Sequence, residues 1–410
     1  MKRTPFSLSD ITSFIEKFPT PFHIYDEAGI RQSAKLLTTG FEWNIGYTNF
    51  FAVKALPNPA ILTILKQEGM GADCSSLSEL ILAERCGFTG EQIMFTSNDT
   101  PANDFKKAYE LGAIINLDDI THIASLESTI GTLPDILCFR FNPGPERGGN
   151  EIIGNPAEAK YGLTREQLFK AYATAKQKGV KRFGLHTMIA SNELDVAYFV
   201  KTARMMFEIA LELKEQGIVL EFINLGGGLG IPYKPDQKEL DIQTLSKQIE
   251  DLYTSLLTKN ALSPKLYTEC GRYVTGPHGY LVSTVLHRKS TYREYIGLDA
   301  TMANLMRPGM YGAYHHITVL GKEQLPADSV YDVTGGLCEN NDKFAIQRKL
   351  PPTIPGDIIV IHDTGAHGHS MGFNYNGMLR SAELLLETSG TVRQIRRAET
   401  IDDYFATLAF

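Results

Sequence analysis

The feature that most constrains the fold is a series of eight short apolar segments between about residues 45 and 275. They span residues 50–54, 71–74, 93–97, 114–118, 136–140, 183–186, 222–225 and 265–269. Near-continuous apolar runs of this length are typical of strands that are buried on both faces. Eight strand-plus-helix units in succession predict a (β/α)8 TIM-like barrel, and a doubly wound open sheet is the alternative.

The stretches between the apolar segments carry residues that begin and end helices. Asn58 precedes Pro59, which suits the first helical position, and Thr164 with Gln167 has the spacing of a capping box. Glycines stand where a helix would end in a left-handed residue, at Gly69, Gly112, Gly179 and Gly217. These signals predict a helix after each of several strands.

The sequence changes character after about residue 278. Strand-like runs at 280–286, 329–333 and 384–388 are separated by turn residues, with no long helical pattern between them. This pattern of short strand-like runs separated by turns predicts an antiparallel β-sandwich or β-barrel. We therefore expect an α/β chain with a barrel over residues 25–278 and a β domain over residues 279–410.

Charge and cysteine content exclude several classes of protein. The formal net charge is −7, whereas a general binder of nucleic acid or anionic membranes needs a basic surface. The apolar runs are far shorter than the ~20 residues of a membrane span, and no signal peptide is visible at the start. Five cysteines without a Cys-x-x-Cys pair predict reduced thiols and a cytoplasmic protein.

Polar residues stand at the ends of five of the predicted strands. They are Lys54, Asp73, Arg140, His186 and Glu269. In a barrel of this kind the active site lies at the carboxyl ends of the strands, so these side chains are expected at one rim. A lysine within an apolar run is also a candidate for Schiff-base chemistry, because desolvation lowers its pKa.

Glycine-rich segments follow the last two predicted barrel strands. Gly226, Gly227 and Gly228 follow the seventh, and Gly271 with Arg272 follows the eighth. Loops at these positions commonly bind a phosphate, although a tight turn alone also explains three glycines. A lysine, a phosphate-binding segment and a carboxylate together indicate pyridoxal 5'-phosphate, with the carboxylate holding the ring nitrogen protonated.

Motifs along the chain match a known family in order. They are Phe51-Ala-Val-Lys-Ala55, Gly71-Ala-Asp-Cys-Ser-Ser-Leu-Ser-Glu79, Arg140-Phe-Asn-Pro143, Ala159-Lys-Tyr-Gly-Leu163, Glu269-Cys-Gly-Arg-Tyr273, Gly335-Gly-Leu-Cys-Glu-Asn-Asn-Asp342 and Gly372-Phe-Asn-Tyr-Asn376. Over roughly residues 20–390 the chain resembles the fold-type III pyridoxal-phosphate decarboxylases. Within them it is most similar to the diaminopimelate decarboxylase family, which is related to the ornithine and arginine decarboxylases.

The resemblance implies roles for the residues that bind the cofactor. Lys54 would form the Schiff base, and Glu269 would contact the pyridine nitrogen. Asp73, Arg140 and Met188 would also bind the cofactor. The phosphate-binding set would be Ser191, Gly226, Gly227, Gly228, Gly271, Tyr375 and, in part, Arg272.

The resemblance also implies a substrate and an assembly. Arg272, Arg307, Tyr311 and Tyr375 would bind the substrate, with Glu339 recognising a distal amino group. Cys338 would give a proton to Cα from the second subunit of a homodimer with shared active sites. Residues 1–24 would return to the β domain, and the fold would be that of alanine racemase. The reaction implied is meso-2,6-diaminopimelate to L-lysine and carbon dioxide.

The chain departs from the family at three places near the expected pocket. Met188 stands where a histidine usually stacks on the cofactor, and by strand alternation we expect His186 to face the opposite way. His367 replaces a tyrosine, and Met378-Leu379 replace Arg-Pro. These departures leave open a decarboxylase of another basic or carrier-linked amino acid.

Other readings of the sequence remain as alternatives. A catalytically silent binding or regulatory relative would normally lack the lysine or the cysteine, and a cofactor-free Schiff-base aldolase leaves Glu269 and the β domain unexplained. We expect no metal site. His362, Asp363, His367 and His369 fit a pocket or surface loop better than a ligand set, and His315-His316 fits an interface or pocket rim.

Overall fold

The computed structural model describes residues 2–150, 152 and 154–410. By their internal contacts these residues divide into two compact units. The barrel unit consists of Arg31–Ile231 and Lys238–Val274, and the β unit consists of the described residues up to Ile30, Pro232–Gln237 and Thr275–Phe410. None of the described helices has the length and apolar character needed to cross a membrane.

The strands of the described residues are numbered in chain order. They are β1 (Phe22–Asp26), β2 (Thr48–Ala52), β3 (Gly71–Cys74), β4 (Ile93–Thr96), β5 (Ile114–Leu117), β6 (Ile136–Arg140), β7 (Arg182–His186), β8 (Leu220–Asn224), β9 (Lys265–Thr268), β10 (Gly279–Ser290), β11 (Glu294–Leu298), β12 (Ile317–Val319), β13 (Ser329–Thr334), β14 (Lys343–Leu350), β15 (Ile358–Ile361), β16 (Ala382–Leu386) and β17 (Val392–Arg396).

The helices are numbered in the same way. They are α1 (Leu8–Ile15), α2 (Glu27–Gly40), α3 (Pro59–Gln67), α4 (Leu77–Arg85), α5 (Ala102–Glu110), α6 (His122–Ile130), α7 (Arg165–Gln177), α8 (Val196–Glu215), α9 (Ile242–Leu256), α10 (Arg272–Thr275), α11 (Arg307–Tyr311) and α12 (Ile401–Phe405).

Strands β2 to β9 form a closed parallel barrel. Each pairs with the next in the chain, and β2 also pairs with β9, where Thr48 lies opposite Tyr267. The open-sheet alternative would leave β2 and β9 as edges, so closure confirms the predicted TIM-like barrel. All eight carboxyl ends therefore lie at one rim.

Large aromatic side chains fill the barrel interior, and glycines on neighbouring strands make room for them. The rings of Phe222 and Tyr267 stack with centroids 4.6 Å apart. A Cβ at Gly184 on β7 would lie 2.0 Å from the Phe222 ring, and one at Gly71 on β3 would lie 2.5 Å from the Phe50 ring. Only glycine fits at these two strand positions, because the interior is close-packed.

The predicted helix punctuation is present in the structure. The Asn58 side chain accepts the Ala60 N–H at 3.0 Å, and Thr164 with Gln167 forms a complete capping box. The four glycines predicted at helix ends have φ between 68° and 93°. Local capping chemistry thus positions helices between several barrel strands, as the sequence predicted.

The β unit is built on a mixed sheet. Its strand order is β14-β13-β11-β10-β1-β16-β17, with β15 pairing to β10 and β12. Most pairs are antiparallel, as predicted, but β1 runs parallel to β16 and β11 runs parallel to β13. The expectation of a purely antiparallel domain is wrong for these pairs, because strands distant in the chain become neighbours in the sheet.

Strand β1 carries the amino-terminal segment into the β unit. It is antiparallel to β10, with Phe22 opposite Val282, and parallel to β16. Sheet pairing holds Tyr25 and Asp26 in this unit, and Pro232–Gln237 also belongs to it. The barrel unit, Arg31–Ile231 with Lys238–Val274, lies within residues 25–278; the boundaries 25–278 and 279–410 with 1–24 stay predictions.

A buried charged network lies inside the β unit at Glu383 of β16. The Tyr25 hydroxyl donates to Glu383 Oε1 at 2.6 Å, Arg396 pairs with the other oxygen, and His369 Nδ1 lies 3.7 Å from it. Burial raises the pKa of Glu383, but His369, Arg396 and the Tyr25 hydroxyl outweigh it and lower the pKa to about 2. Glu383 is therefore a carboxylate at neutral pH.

Candidate active site

A cavity of about 360 Å³ opens at the carboxyl ends of the barrel strands. It is lined by Lys54, Asp73, Ser75, Thr96, Ser97, Asn98, Asp99, Arg140, Lys160, His186, Met188 and Glu269. All five side chains expected at strand ends are among them. Barrel closure explains this, since parallel strands place their carboxyl-terminal residues at one rim.

Lys54 lies just beyond the end of β2. The strand stops at Ala52, and a short 3-10 turn over Val53–Ala55 follows. Val53 and Ala55 are buried, whereas Lys54 is exposed and lines the cavity. The burial expected for a lysine within an apolar run is therefore not observed, because the turn directs this side chain out of the packed strand.

Two carboxyl groups share the cavity, and their pKa values move in opposite directions. Burial and the nearby Glu269 raise the pKa of Asp73 well above its usual value, although Lys54 opposes this. Burial also raises the pKa of Glu269, but His186, Lys54 and Arg140 outweigh it and lower the pKa overall. Asp73 therefore holds a proton more strongly than Glu269 does, and Glu269 is the member of the pair that favours the carboxylate form.

Both oxygens of Glu269 are hydrogen-bonded to side chains of neighbouring barrel strands. His186 Nε2, at the end of β7, lies 3.0 Å from Oε2. The amide of Asn224, at the end of β8, donates to Oε1 at 2.8 Å. All three side chains are buried. The carboxylate therefore has a fixed orientation at the cavity wall.

Arg140 is held from three sides. Its guanidinium lies 3.3 Å from Asp118 Oδ1, donates to the Met188 carbonyl at 3.3 Å, and stacks 4.0 Å from the Tyr161 ring centroid. Asp118 follows β5 and is itself buried. The arrangement presents a fixed positive charge to the cavity.

Met188 and His186 both line the cavity, so the expectation that His186 faces away is wrong. Strand β7 ends at His186, and the alternation of side chains does not continue through the loop that carries Met188. The Met188 sulfur accepts the Gly227 N–H at 3.1 Å. The thioether is thereby tied to the glycine segment.

The glycine segment after β8 is packed backbone against backbone. A Cβ at Gly226 would lie 2.2 Å from the Thr187 carbonyl, one at Gly227 2.5 Å from the Glu269 carbonyl, and one at Gly228 2.5 Å from the Ala190 carbonyl. Gly226 and Gly228 also have φ of 72° and 95°. These positions need glycine, because any side chain would separate the loops that surround the cavity.

Several predicted cofactor residues lie in the barrel unit but do not line this cavity in the described part of the chain. They are Ser191, the three glycines 226–228, Gly271 and Arg272. The Ser191 N–H donates to Asn150 Oδ1 at 3.1 Å. Arg272 begins α10 and is half-buried. Their predicted phosphate roles stay predictions.

The remaining predicted residues belong to the β unit. Cys338 is exposed and its N–H donates to Asn376 Oδ1 at 2.9 Å, while Glu339 is half-buried. Tyr311 is 64% exposed and Tyr375 is 52% exposed. Their proximity to Lys54 stays a prediction of the family resemblance.

Arg307, at the start of α11, is the buried member of the predicted substrate-binding set. Its Nη1 lies 3.0 Å from His315 Nε2, and its guanidinium stacks 4.7 Å from the Tyr233 ring centroid. His315 Nδ1 lies 2.8 Å from the His362 carbonyl oxygen. Within the described residues, no group of three or more His, Cys, Asp or Glu side chains is arranged to hold a metal ion.

Sequence reasoning missed part of the cavity wall. Ser97, Asn98 and Asp99 follow β4, and the rule applied to other strand ends would have found them. Lys160 lies in a motif that was recognised but given no role. Asn224 also ends a barrel strand; its contact with Glu269 required the three-dimensional structure.

The residues at the cavity fit pyridoxal phosphate. Asp73 Oδ1 and His186 Nδ1 are buried without a hydrogen-bond partner among the described residues, so both atoms are available to hydrogen-bond a ligand. Lys54 offers an amine for the aldehyde, Glu269 a carboxylate for the ring nitrogen, and Arg140 a cation for an anionic ligand. The cavity volume lies within the usual range for small-molecule sites.

Comparison with known proteins agrees with this chemistry. Residues 28–276 match the family described as pyridoxal-dependent decarboxylase, pyridoxal binding domain. The chain is 47% identical to Protein TabA of Pseudomonas amygdali pv. tabaci, covering 94% of this chain and 90% of TabA. It is 34% identical to diaminopimelate decarboxylase of Methanothermobacter thermautotrophicus, covering 96% of this chain and 93% of the relative.

A solved structure is similar over nearly the whole chain. Diaminopimelate decarboxylase of M. jannaschii, in complex with L-lysine, superposes with a TM-score of 0.91 at 32% identity, covering 98% of this chain and 94% of that chain. Fold, cavity chemistry and sequence similarity point to one family. The chain belongs to the pyridoxal-dependent decarboxylases of fold type III and is a pyridoxal-phosphate-dependent amino-acid decarboxylase.

Proposed function

We propose that the protein decarboxylates meso-2,6-diaminopimelate to L-lysine and carbon dioxide. The observation that carries this proposal is the barrel cavity that gathers Lys54, Asp73, Arg140 and Glu269, in a chain that keeps the Cys338-Glu339 motif. The relatives named diaminopimelate decarboxylase and the L-lysine bound in one of their structures support this choice of substrate and product.

Each residue at the barrel rim has a distinct proposed task. Lys54 would hold the cofactor through its amine, and Glu269, as a carboxylate, would keep a proton on the ring nitrogen. When bound, the cofactor withdraws the electron pair that departing carbon dioxide leaves at Cα. Arg140 offers a positive charge to the anionic cofactor and substrate carboxylate, and Asp73, with its raised pKa, contacts the cofactor.

Recognition of the substrate and phosphate is assigned to loops and to the β unit. Arg272, Arg307 and Tyr311 bind a carboxylate, and Glu339 binds the distal ammonium group. Ser191, the glycines 226–228, Gly271 and Tyr375 bind the phosphate, with Met188 against the ring. The exposed Cys338 thiol gives the proton to Cα.

We further propose how the protein assembles and where it is located. A homodimer would supply Cys338 from one subunit and Lys54 from the other. The five cysteines are all free, which suits a reducing compartment, and we propose the cytoplasm.

A second candidate function is the decarboxylation of another basic or carrier-linked amino acid. Identity to TabA, 47%, exceeds the 34% identity to the Methanothermobacter diaminopimelate decarboxylase. Met188, His367 and Met378-Leu379 are also the positions at which the chain departs from the diaminopimelate decarboxylase pattern. A substrate with a different distal group would explain why the chain departs from the family pattern in these motifs.

Turnover assays distinguish the two candidates. Purified holoenzyme is incubated separately with meso-, LL- and DD-diaminopimelate, then with ornithine, lysine, arginine and their D-forms, and both carbon dioxide and the amine product are measured. We expect lysine from meso-diaminopimelate and none from a Lys54→Ala control. Turnover of a different amino acid supports the second candidate, and no turnover of diaminopimelate by enzyme with bound cofactor contradicts the first.

Mixing two inactive variants tests the shared site. Lys54→Ala and Cys338→Ala enzymes are each strongly impaired, but reassorted dimers would contain one intact site for every four when the two residues come from different subunits. We expect recovery of about a quarter of wild-type activity. No recovery, with heterodimers present by native mass spectrometry, would contradict a shared site.

A further inference from the structure

The carboxylate of Glu269 is part of a hydrogen-bonded chain that crosses three adjacent barrel strands. Oε2 is 3.0 Å from His186 Nε2, and Oε1 accepts from Asn224 Nδ2 at 2.8 Å. Strands β7, β8 and β9 are neighbours in the barrel, so their ends bring these three side chains together. His186 and Asn224 are completely buried, and Glu269 is 7% exposed.

The direction of each bond follows from the other atoms of the same side chains. Asn224 Oδ1 accepts the Gly226 N–H at 2.9 Å, so its amide nitrogen faces Glu269 as a donor. His186 Nδ1 is buried without a partner among the described residues, which suits a bare ring nitrogen. The tautomer assigned from this network carries its proton on Nε2 and donates to Glu269.

The same chain includes the glycine segment after β8. The Glu269 N–H donates to the Gly226 carbonyl at 2.9 Å, and the Gly226 N–H donates to Asn224. Gly226 is thus bonded to the backbone of Glu269 and to a side chain that orients its carboxylate. A displacement of the segment would disturb both contacts.

Two features make His186 important in this chain. Among the described residues that line the cavity, it is the only imidazole. Asp73 shares the cavity with Glu269, and two close carboxyls do not ionise equally. Donors fixed on Glu269 decide which of the two carries the negative charge.

We propose that His186 and Asn224 are positioning residues that keep Glu269 ionised and aimed at the ring nitrogen of the cofactor. They act through Glu269 and take no part in the bond that breaks. The assignment depends on the cofactor and on the family's use of Glu269, and it is independent of which amino acid the enzyme decarboxylates.

Paired substitutions test the role of the histidine. His186→Leu removes the donor, whereas His186→Gln keeps an N–H that reaches toward Glu269. His122→Leu is the matched control, because His122 is a half-buried barrel histidine on α6 outside the cavity. Each protein is measured for cofactor dissociation by equilibrium dialysis, for the visible absorbance of the holoenzyme, and for kcat and KM with an amino acid that it turns over.

We expect His186→Leu to lower kcat by about 10- to 100-fold, the range that corresponds to one lost hydrogen bond to a charged group. KM should change little, the visible absorbance should shift, and cofactor should dissociate more readily. His186→Gln should recover most of the loss, and His122→Leu should match the wild type. A purely structural role would lower thermal stability without a change of absorbance.

Asn224→Leu is an independent second test, should the histidine variant fold poorly. It keeps a similar side-chain shape while removing the donor to Oε1 together with the acceptor of the Gly226 N–H, and the same shift in absorbance and loss of kcat are expected. Unchanged absorbance and kcat in folded His186→Leu or Asn224→Leu protein would overturn the assignment. A fall in His186→Gln as large as that in His186→Leu would also overturn it, because the donor would then not be what matters.

Discussion

Substrate affinity should depend on His315, a buried histidine that we expect to act through Arg307. Arg307, which we propose binds a substrate carboxylate, donates through Nη1 to His315 Nε2 at 3.0 Å. An arginine only donates and the His362 carbonyl only accepts, so His315 carries its proton on Nδ1, 2.8 Å from that carbonyl. The Tyr233 ring lies 4.7 Å from the guanidinium and 5.2 Å from the His315 ring.

Replacing His315 with leucine removes the acceptor and leaves a buried guanidinium N–H without it. A hydrogen bond to a charged group contributes about 1.5–3 kcal/mol. At 1.4 kcal/mol for each factor of ten, kcat/KM should fall by about 10- to 100-fold. Since Arg307 would bind the carboxylate in the ground state and the transition state alike, the loss should appear in KM rather than kcat.

Steady-state kinetics of His315→Leu and His315→Gln check this prediction, with circular dichroism to establish that each variant is folded. His287→Leu is the matched control, because His287 lies in the same unit on β10 and is exposed. The glutamine variant should lose less than the leucine variant, since its amide oxygen still accepts. An unchanged KM in folded His315→Leu enzyme, or a loss confined to kcat, would refute the reasoning.

Three further predictions concern stability and cofactor binding. The pKa of Glu383 is lowered from 4.5 to about 2, so this carboxylate contributes about 3 kcal/mol to the free energy of unfolding above pH 4.5, and the contribution is lost as pH falls toward 2. Hydrogen-exchange protection in β16 should show this pH dependence, and Glu383→Gln should abolish it. Gly184→Ala forces a Cβ against Phe222 and should cost about 1–3 kcal/mol in urea denaturation, whereas unchanged stability would show that the ring has room to move. Asp118→Asn removes the carboxylate that pairs with the buried Arg140 guanidinium. It should lower the free energy of unfolding of the apoenzyme by about 3 kcal/mol and weaken cofactor binding, as measured by calorimetry and dialysis; wild-type values for both would contradict a role for this pair.

The barrel and its rim were predictable because local sequence signals carry them. Apolar runs predict buried strands, and a polar residue at the end of each run predicts which side chains meet once the strands are parallel. Lys54, Asp73, Arg140 and Glu269 were found in this way. The same rule applied after β4 would have added Ser97, Asn98 and Asp99 to the cavity wall.

Side-chain directions beyond the strand ends were less predictable. Alternation placed His186 on the far side from Met188, yet both line the cavity, because β7 ends at His186 and the following loop has no period of two. The lysine expected to be desolvated is exposed, because a 3-10 turn begins after Ala52. A one-residue change in where a strand ends is enough to alter such a prediction.

The sequence by itself determined the order of the strand-helix units, their helix caps and the polar residues at the strand ends, because these features depend on residues close together in the chain. Only the tertiary structure decided which distant residues meet. Glu269 bonds to His186 and Asn224, Asp118 pairs with Arg140, and β1 lies between β10 and β16. These contacts arise when barrel closure and sheet pairing bring remote segments together, and no local periodicity encodes which partner will be there.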